Sequence, residues 1–87
     1  MEKYNVLIAA SAAKELESID GKANRARIVR AIRALAHNPR GPGSEKLSET
    51  GARYRIRVGT FRVVYAVDDD KRAVDIVKIG HRREVYR

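Results

Sequence analysis

The chain has 87 residues, no cysteine and a net charge of +8. This length suits one hydrophobic core, so we expect a single domain over residues 1–87, and the lack of cysteine excludes disulfides and thiolate metal sites and favours the reducing cytoplasm. No apolar run approaches the roughly 18 residues of a membrane-spanning helix, and the surplus of positive charge favours a polyanionic partner, with a merely basic surface as the alternative.

Residues 3–8, KYNVLI, predict a first strand because β-branched, aromatic and other apolar side chains dominate them. A first helix follows, with Ser11 as its expected N-cap and Asp20-Gly21 at its end. The helix is amphipathic, since its apolar side chains recur at helical spacing at Ala12, Ala13, Leu16 and Ile19.

A second helix is expected from Lys22 or Ala23 to His37, where Asn38-Pro39 closes it. Its apolar positions follow an i, i+4, i+7 pattern at Ile28, Ile32 and Leu35. We assign its arginines to a solvent-exposed outer face rather than to direct RNA contact; they are Arg25, Arg27, Arg30 and Arg33. The proline- and glycine-rich residues 39–51 then predict a loop that crosses from the helices to the sheet.

From Arg53 the pattern changes to a period of two, which predicts a hairpin with its turn at Gly59-Thr60. A two-residue turn fixes the register, so the expected pairs are Val58 with Phe61, Arg57 with Arg62, Ile56 with Val63, and Tyr54 with Tyr65. One face is then apolar or aromatic and should pack under the helices, as Tyr54, Ile56, Val58, Phe61, Val63, Tyr65 and Val67. The other face carries Arg53, Arg55, Arg57 and Arg62 beside Val64 and Ala66.

A last strand is expected from Ala73 to Ile79, after an acidic turn at residues 68–71. Both of its faces contain apolar residues, so the pattern leaves the directions of Lys78 and Asp75 open. The element order is β-α-α-β-β-β. Helices grouped ahead of an antiparallel meander imply an α+β fold, with the helical hairpin packed on one face of a small, antiparallel-rich sheet.

The arginines of the hairpin face are the strongest functional candidates. Like charges directly opposed on neighbouring strands destabilise a sheet, so Arg57 facing Arg62 indicates an anion bound near them. A phosphate group suits this position because arginine binds it through paired hydrogen bonds. Removal of Arg62 should therefore leave the fold intact or slightly more stable. An ordinary solvent-exposed face is the alternative, since arginine tolerates exposed strands through its apolar stem.

The last eight residues, GHRREVYR, add side chains of catalytic types. Histidine titrates near neutrality, so His81 is a candidate acid or base, with a ring that packs at the end of the strand as the alternative. Tyrosine has an ordinary pKa of about 10, which neighbouring positive charge lowers, so Tyr86 is a second candidate base.

Three runs in the second half resemble RelE-type toxins of the RelE/ParE toxin–antitoxin superfamily: Lys46-Leu47, YRIRVGTFRVVY at residues 54–65, and KIGHRREVY at residues 78–86. The resemblance in element order covers nearly the whole chain and implies a RelE-like fold. ParE-type toxins share this fold but act on DNA gyrase. A gyrase poison, or a basic nucleic-acid-binding module without catalysis, is therefore the alternative function.

What the RelE resemblance implies is an endoribonuclease that enters the ribosomal A site and cuts messenger RNA without a metal or a small-molecule cofactor. Attack by the 2′-hydroxyl leaves a 2′,3′-cyclic phosphate and a 5′-hydroxyl. By position, the catalytic set is Arg55, Arg57, Arg62, Arg82 and Tyr86, with His81 as an alternative base, and the RNA-binding set is Arg53, Arg55, Arg57, Arg62 and Arg83. The best-known member of the family carries lysine at the first two positions, and because arginine holds its proton more firmly, a proton-transfer role does not carry over to them.

The resemblance also implies a cognate antitoxin that covers this small domain. We expect its docking grooves beside the helical hairpin, where so small a sheet should leave some apolar side chains incompletely buried; the candidates are Ala12, Leu16, Ile28 and Leu35. Acidic residues of the antitoxin would meet Arg25, Arg30 or Arg33 at the rim, where charge mainly speeds association.

Overall fold

The computed structural model describes residues 3–47 and 52–81. Two helices pack with a five-stranded sheet, and the elements are β1 Asn5–Ile8, α1 Ala10–Glu17, α2 Lys22–Ala34, β2 Glu45–Lys46, β3 Arg53–Val58, β4 Phe61–Asp68 and β5 Ala73–His81. The strand order is β1-β5-β4-β3-β2, with β1 parallel to β5 and the other neighbours antiparallel. The predicted α+β fold is confirmed. Within the described ranges, no helix is long and apolar enough to cross a membrane.

The β3–β4 hairpin has the predicted register at all four expected pairs, including Arg57 opposite Arg62. Gly59 begins its turn with φ of 62°, a conformation that glycine adopts without the steric cost that a β-carbon would bring. Because side chains alternate along a strand, this register also assigns every residue of the hairpin to one face of the sheet or the other.

The hydrophobic core lies between the helices and the predicted apolar face of the hairpin. Its fully or nearly fully buried members are Ala12, Ile19, Ile28, Ile32, Leu35, Val63, Tyr65, Val67, Val74, Ile76 and Ile79. Four further side chains of the predicted face, Tyr54, Ile56, Val58 and Phe61, pack against this cluster. The hydroxyl of Tyr65 donates a hydrogen bond to the backbone carbonyl of Pro39 at 2.6 Å, so this buried polar group is satisfied.

The register of β5 answers the question that the sequence pattern left open. Asp75 lies opposite Ala66, and Lys78 lies opposite Val64, next to an irregularity in the β4–β5 pairing. The ammonium of Lys78 forms an ion pair at 3.0 Å with Glu15 of α1, whose second carboxylate oxygen accepts a hydrogen bond from the backbone N–H of Ile79 at 2.8 Å. Glu15 thereby accepts a hydrogen bond from the backbone of β5 at a position where β1 no longer pairs with it.

The ends of the helices differ from the predictions. The N-cap of α1 is Ala9 and not Ser11, because the backbone N–H of Ala9 still bonds to the carbonyl of Ile76 at 2.9 Å and the helix begins directly afterwards. The helix ends at Glu17, ahead of Asp20-Gly21. Helix α2 ends at Ala34 rather than His37, since residues 35–37 form tighter turns with hydrogen bonds to the third residue back.

The predicted loop over residues 39–51 contains a short strand, β2, in its described part. Glu45 pairs with Arg55 and Lys46 pairs with Tyr54, both antiparallel. No pattern along the chain predicts this strand, because two residues cannot show a period and the pairing depends on where the loop returns to the sheet. Its consequence is an acidic side chain opposite Arg55.

Polar contacts tie the loop after α2 to the turn between β4 and β5. Arg40 donates hydrogen bonds to Asp69 at 2.7 Å and to the hydroxyl of Tyr54 at 2.9 Å. The hydroxyl of Tyr4 donates to the other carboxylate oxygen of Asp69 at 2.6 Å. The Arg40 guanidinium, with help from the Tyr4 hydroxyl, lowers the pKa of the Asp69 carboxyl. The ionised form of Asp69 is therefore favoured by folding.

We expect Asp69→Asn to lower the free energy of unfolding modestly at neutral pH and to have little effect in acid. A carboxyl whose pKa is lower in the folded state stabilises the fold above its unfolded pKa of about 3.9, and this contribution disappears as the pH falls through the folded value. Urea unfolding from neutral pH to below that range checks this, with Asp70→Asn in the same exposed turn as the control. A difference that did not depend on pH would contradict the ion-pair explanation.

Candidate nucleic-acid interface

Three rows of residues cross the sheet face opposite the core. In register, Arg53 is level with Ala66 and Asp75, Arg55 with Val64 and Lys78, and Arg57 with Arg62 and Gly80. The structure thus brings the four predicted arginines of the hairpin onto one face, which we call the arginine face. Its cations lie on two adjacent strands, β3 and β4.

Exposure divides the four arginines into two kinds. Arg53 and Arg57 are exposed, whereas the Arg55 side chain is 13 % exposed and Arg62 is 3 % exposed. Arg62 thus has little contact with water, a property that the period-two pattern did not indicate. Its strand, β4, is the middle strand of five. Arg57 is the member of the Arg57–Arg62 pair that an anion meets first.

A carboxylate from β2 also lies on the arginine face. Glu45 forms an ion pair with Arg55, and its side chain is 63 % exposed. Sequence reasoning missed Glu45, because residues 39–51 were assigned to a loop. One feature of the sequence could have drawn attention to Glu45. It directly precedes Lys46-Leu47, one of the runs that resemble the toxin family.

Arg27 of α2 is exposed, as predicted. A β-carbon at Gly59 would lie 3.4 Å from one terminal nitrogen of Arg27, so this guanidinium lies beside the hairpin turn. Arg25 departs from the predicted outer face, since it is partly buried and donates to the carbonyl of Ile19 at 2.8 Å. Arg30 and Arg33 are exposed as predicted.

His81 lies on the other side of the sheet from the arginine face. It is level with Phe61, and the two rings meet edge to face with centroids 5.8 Å apart. Phe61 belongs to the apolar face, against the core. The structure therefore does not bring His81 together with Arg57 or Arg62, and its placement favours the interpretation of a ring that packs at the end of the strand.

The remaining predicted site residues, Arg82, Arg83 and Tyr86, lie outside the described residues. The chain reaches them from the end of β5, where Gly80 is level with Arg62. Their roles stay predictions. The arginine face can bind and stabilise negative charge. A guanidinium stays protonated near neutral pH, so these arginines do not supply a general base.

Two apolar grooves border the helices. The first, of about 500 Å³, runs between β1 and α2 and is lined by Val6, Ile8, Leu16, Val29, Ile32 and Ala36, with Lys3, Arg33 and His37 among its polar residues. The second, of about 850 Å³, runs along α1 and α2 and is lined by Leu16, Ala26 and Val29 with Lys22, Arg25, Arg30 and Arg33. Leu16, Val29 and Arg33 line both grooves, which are basic at their rims.

The prediction that these four side chains cannot all be fully buried is confirmed, because Leu16 is partly exposed. Ala12, Ile28 and Leu35 are buried. They are buried because β5 covers them together with the hairpin. Strand β5 adds three buried side chains to the core, Val74, Ile76 and Ile79. The open apolar surface instead comes from residues on the outer sides of the helices and from β1.

Comparisons with known proteins agree with this architecture. The family model described as the ParE toxin of type II toxin-antitoxin system, parDE, matches residues 6–86. A protein of Mycobacterium tuberculosis named Toxin RelE is 33 % identical over 84 residues, which cover 97 % of this chain and 87 % of that protein.

Solved structures give the same result. The toxin of the archaeal RelE-RelB complex from Pyrococcus horikoshii has a TM-score of 0.81 at 31 % identity, covering 91 % of this chain and 94 % of that one. The toxin-antitoxin complex RelBE2 from Mycobacterium tuberculosis contains a chain with a TM-score of 0.80 at 26 % identity, and 94 % of each chain is covered. By sequence and by structure, this chain belongs to the RelE/ParE superfamily of toxins from type II toxin–antitoxin systems.

Proposed function

We propose that this toxin is a ribosome-dependent endoribonuclease that cuts messenger RNA in the cytoplasm, without a metal or a small-molecule cofactor. The observation that carries the proposal is the arginine face, on which the register sets Arg57 directly opposite Arg62. Guanidinium groups side by side on one face concentrate positive charge and suit an anion that accepts paired hydrogen bonds. A phosphodiester of RNA is the anion that fits this proposal.

In the proposed reaction, the 2′-hydroxyl oxygen attacks the adjacent phosphorus and the bond from phosphorus to the 5′ oxygen breaks. The 2′ proton passes to a general base, and the departing 5′ oxygen gains a proton, which gives a 2′,3′-cyclic phosphate and a 5′-hydroxyl. Arg57 binds the scissile phosphate and stabilises the charge that develops on its oxygens. Tyr86 is the proposed base, and Arg82 stabilises the departing oxygen.

The other arginines have supporting roles in this proposal. Arg62 contributes charge from the neighbouring strand, and because it is buried, its field is screened less than that of an exposed cation. Arg53, Arg55 and Arg83 bind the neighbouring RNA backbone. Arg55 and Arg57 take part through charge and hydrogen bonding rather than by proton transfer.

Primer extension on messenger RNA that is being translated tests the proposal. We expect cuts in phase with the codons that depend on the ribosome. The alternative of a gyrase poison draws on the matching family model, which is described as a ParE toxin. That alternative predicts double-strand breaks trapped on gyrase and no codon-phased cuts, whereas a basic binding module predicts neither product.

We also propose a cognate antitoxin as the partner of this toxin, because the two solved relatives above are toxin–antitoxin complexes. The apolar grooves beside α2 suit an amphipathic helix, whose acidic residues would meet Arg30 and Arg33 at the rim. Arg33 lines both grooves and is exposed, so it should interact with the partner whichever groove the partner occupies.

We expect Arg33→Glu to weaken the complex with the product of the neighbouring open reading frame about tenfold, mainly through slower association, because rim charges act on encounter. Co-expression, co-purification and association kinetics measure the effect. Lys71→Glu, which makes the same charge change in the exposed β4–β5 turn, is the control. Equal losses in both variants would assign the effect to net charge, and a chain that purified alone and never arrested growth would contradict the antitoxin proposal.

A further inference from the structure

We propose that Glu45 is a positioning residue that holds the Arg55 guanidinium in place on the arginine face. The inference rests on the proposed function, because it concerns a cation of the RNA-binding face. Glu45 was assigned no role by the sequence analysis. Its position follows from β2, the two-residue strand that pairs it with Arg55.

The first argument is the difference in exposure across the ion pair. The Arg55 side chain is 13 % exposed, while the Glu45 side chain is 63 % exposed. A guanidinium with so little contact with water is stable only where opposite charge and hydrogen bonds replace its hydration. The carboxylate of Glu45 supplies such a charge and accepts a hydrogen bond from a terminal nitrogen of Arg55.

The second argument is the charge around Arg55. Arg53 and Arg57 are two residues away on either side along β3, so their side chains project from the same face. Repulsion from these cations would drive a long, flexible side chain toward solvent. The carboxylate of Glu45 opposes this repulsion. Strand β3 has two neighbours, β4 and β2, and Glu45 is on β2, which carries no arginine.

A fixed guanidinium affects catalysis differently from a mobile one. A mobile arginine can still attract RNA, but it must be ordered during the reaction, whereas a guanidinium held in advance stabilises the transition state without that reorganisation. Loss of the carboxylate should therefore lower the cleavage rate at saturation. It should not weaken RNA binding, since the protein gains one unit of positive charge.

A double-mutant cycle in the complete ribosome–mRNA reaction tests the inference, using Glu45→Gln, Arg55→Gln and the double variant. We expect Glu45→Gln to lower the saturating single-turnover rate about tenfold without raising the toxin concentration at half-saturation. Arg55→Gln should lower the rate at least as much, and adding Glu45→Gln to it should change the rate less than twofold, because the carboxylate acts through Arg55. Asp70→Asn, an exposed charge change far from this face, should react like the unaltered protein.

A second readout does not depend on cleavage. In NMR spectra of the full chain, the Nε–H signal of Arg55 should be sharp in the unaltered protein and broadened in Glu45→Gln, while the unfolding temperature reports any general loss of stability. An unchanged saturating rate, independent losses in the cycle, or an unchanged Arg55 signal would each overturn the inference. If the unaltered protein failed to cut messenger RNA but the Arg55 signal behaved as expected, the proposed function would be lost while the Glu45 contact would stand.

Discussion

Replacement of Arg62 by methionine is expected to slow messenger RNA cleavage by a factor on the order of 10² while the protein stays folded. Arg62 is 3 % exposed and faces Arg57 across the hairpin. Methionine keeps most of the side-chain volume and removes the charge. Thermal unfolding of the variant separates any loss of stability from the loss of charge.

Alanine at the same position is expected to behave differently. From the like-charge pair alone, Arg62→Ala should be neutral or slightly stabilising, but the burial of Arg62 means that truncation leaves a cavity in the middle of the sheet. We therefore expect Arg62→Ala to lower the unfolding temperature and Arg62→Met to preserve it. Both variants should fail to arrest growth.

Growth arrest, primer extension and thermal unfolding, measured together, check these expectations. Lys71→Met is the matched control, since it also removes one positive charge but lies in the exposed β4–β5 turn. A folded Arg62→Met protein that arrested growth fully would show that the charge of Arg62 has no part in phosphate binding. The arginine face would then lose its central pair as a catalytic element.

The period-two pattern from Arg53 onward was sufficient to predict the central part of the fold. Gly59-Thr60 fixed a two-residue turn, and the turn fixed which residues face each other, so the apolar face and the arginine face followed before any tertiary contact was known. These are local properties, which alternate side chains and turn chemistry determine within a few residues.

Properties that depend on distant strands could not be predicted in this way. The burial of Arg62 is a property of the folded chain that the pattern of one hairpin does not contain, and the direction of His81 follows from the pairing of β5 with β4. The Glu45–Arg55 ion pair depends on a loop that returns to the sheet as two paired residues. Hence the sequence identified which arginines share a face, but not which of them are accessible or where a carboxylate meets them.

Tyr86→Phe is expected to slow cleavage by a factor on the order of 10² or more, because a general base of this kind typically contributes that much and phenylalanine retains only the ring. If the ring only stacks on a base of the RNA, the change should be small. Tyr86→Ala separates the two roles further, since it removes both the hydroxyl and the ring. Single-turnover cleavage in ribosome–mRNA complexes gives the rates, and RNA binding shows whether stacking is retained.

His81→Gln is the companion variant, and we expect it to cut at close to the normal rate. The His81 ring packs edge-on against Phe61, on the face of the sheet that carries the core, whereas Arg57 and Arg62 are on the opposite face. A base must come within hydrogen-bond reach of the 2′-hydroxyl of a phosphodiester bound by those arginines, and a ring on the far side of the sheet does not. Full activity in Tyr86→Phe together with loss of activity in His81→Gln would transfer the role of base to His81, and it would require the RNA to pass around the end of β5 rather than lie on the arginine face.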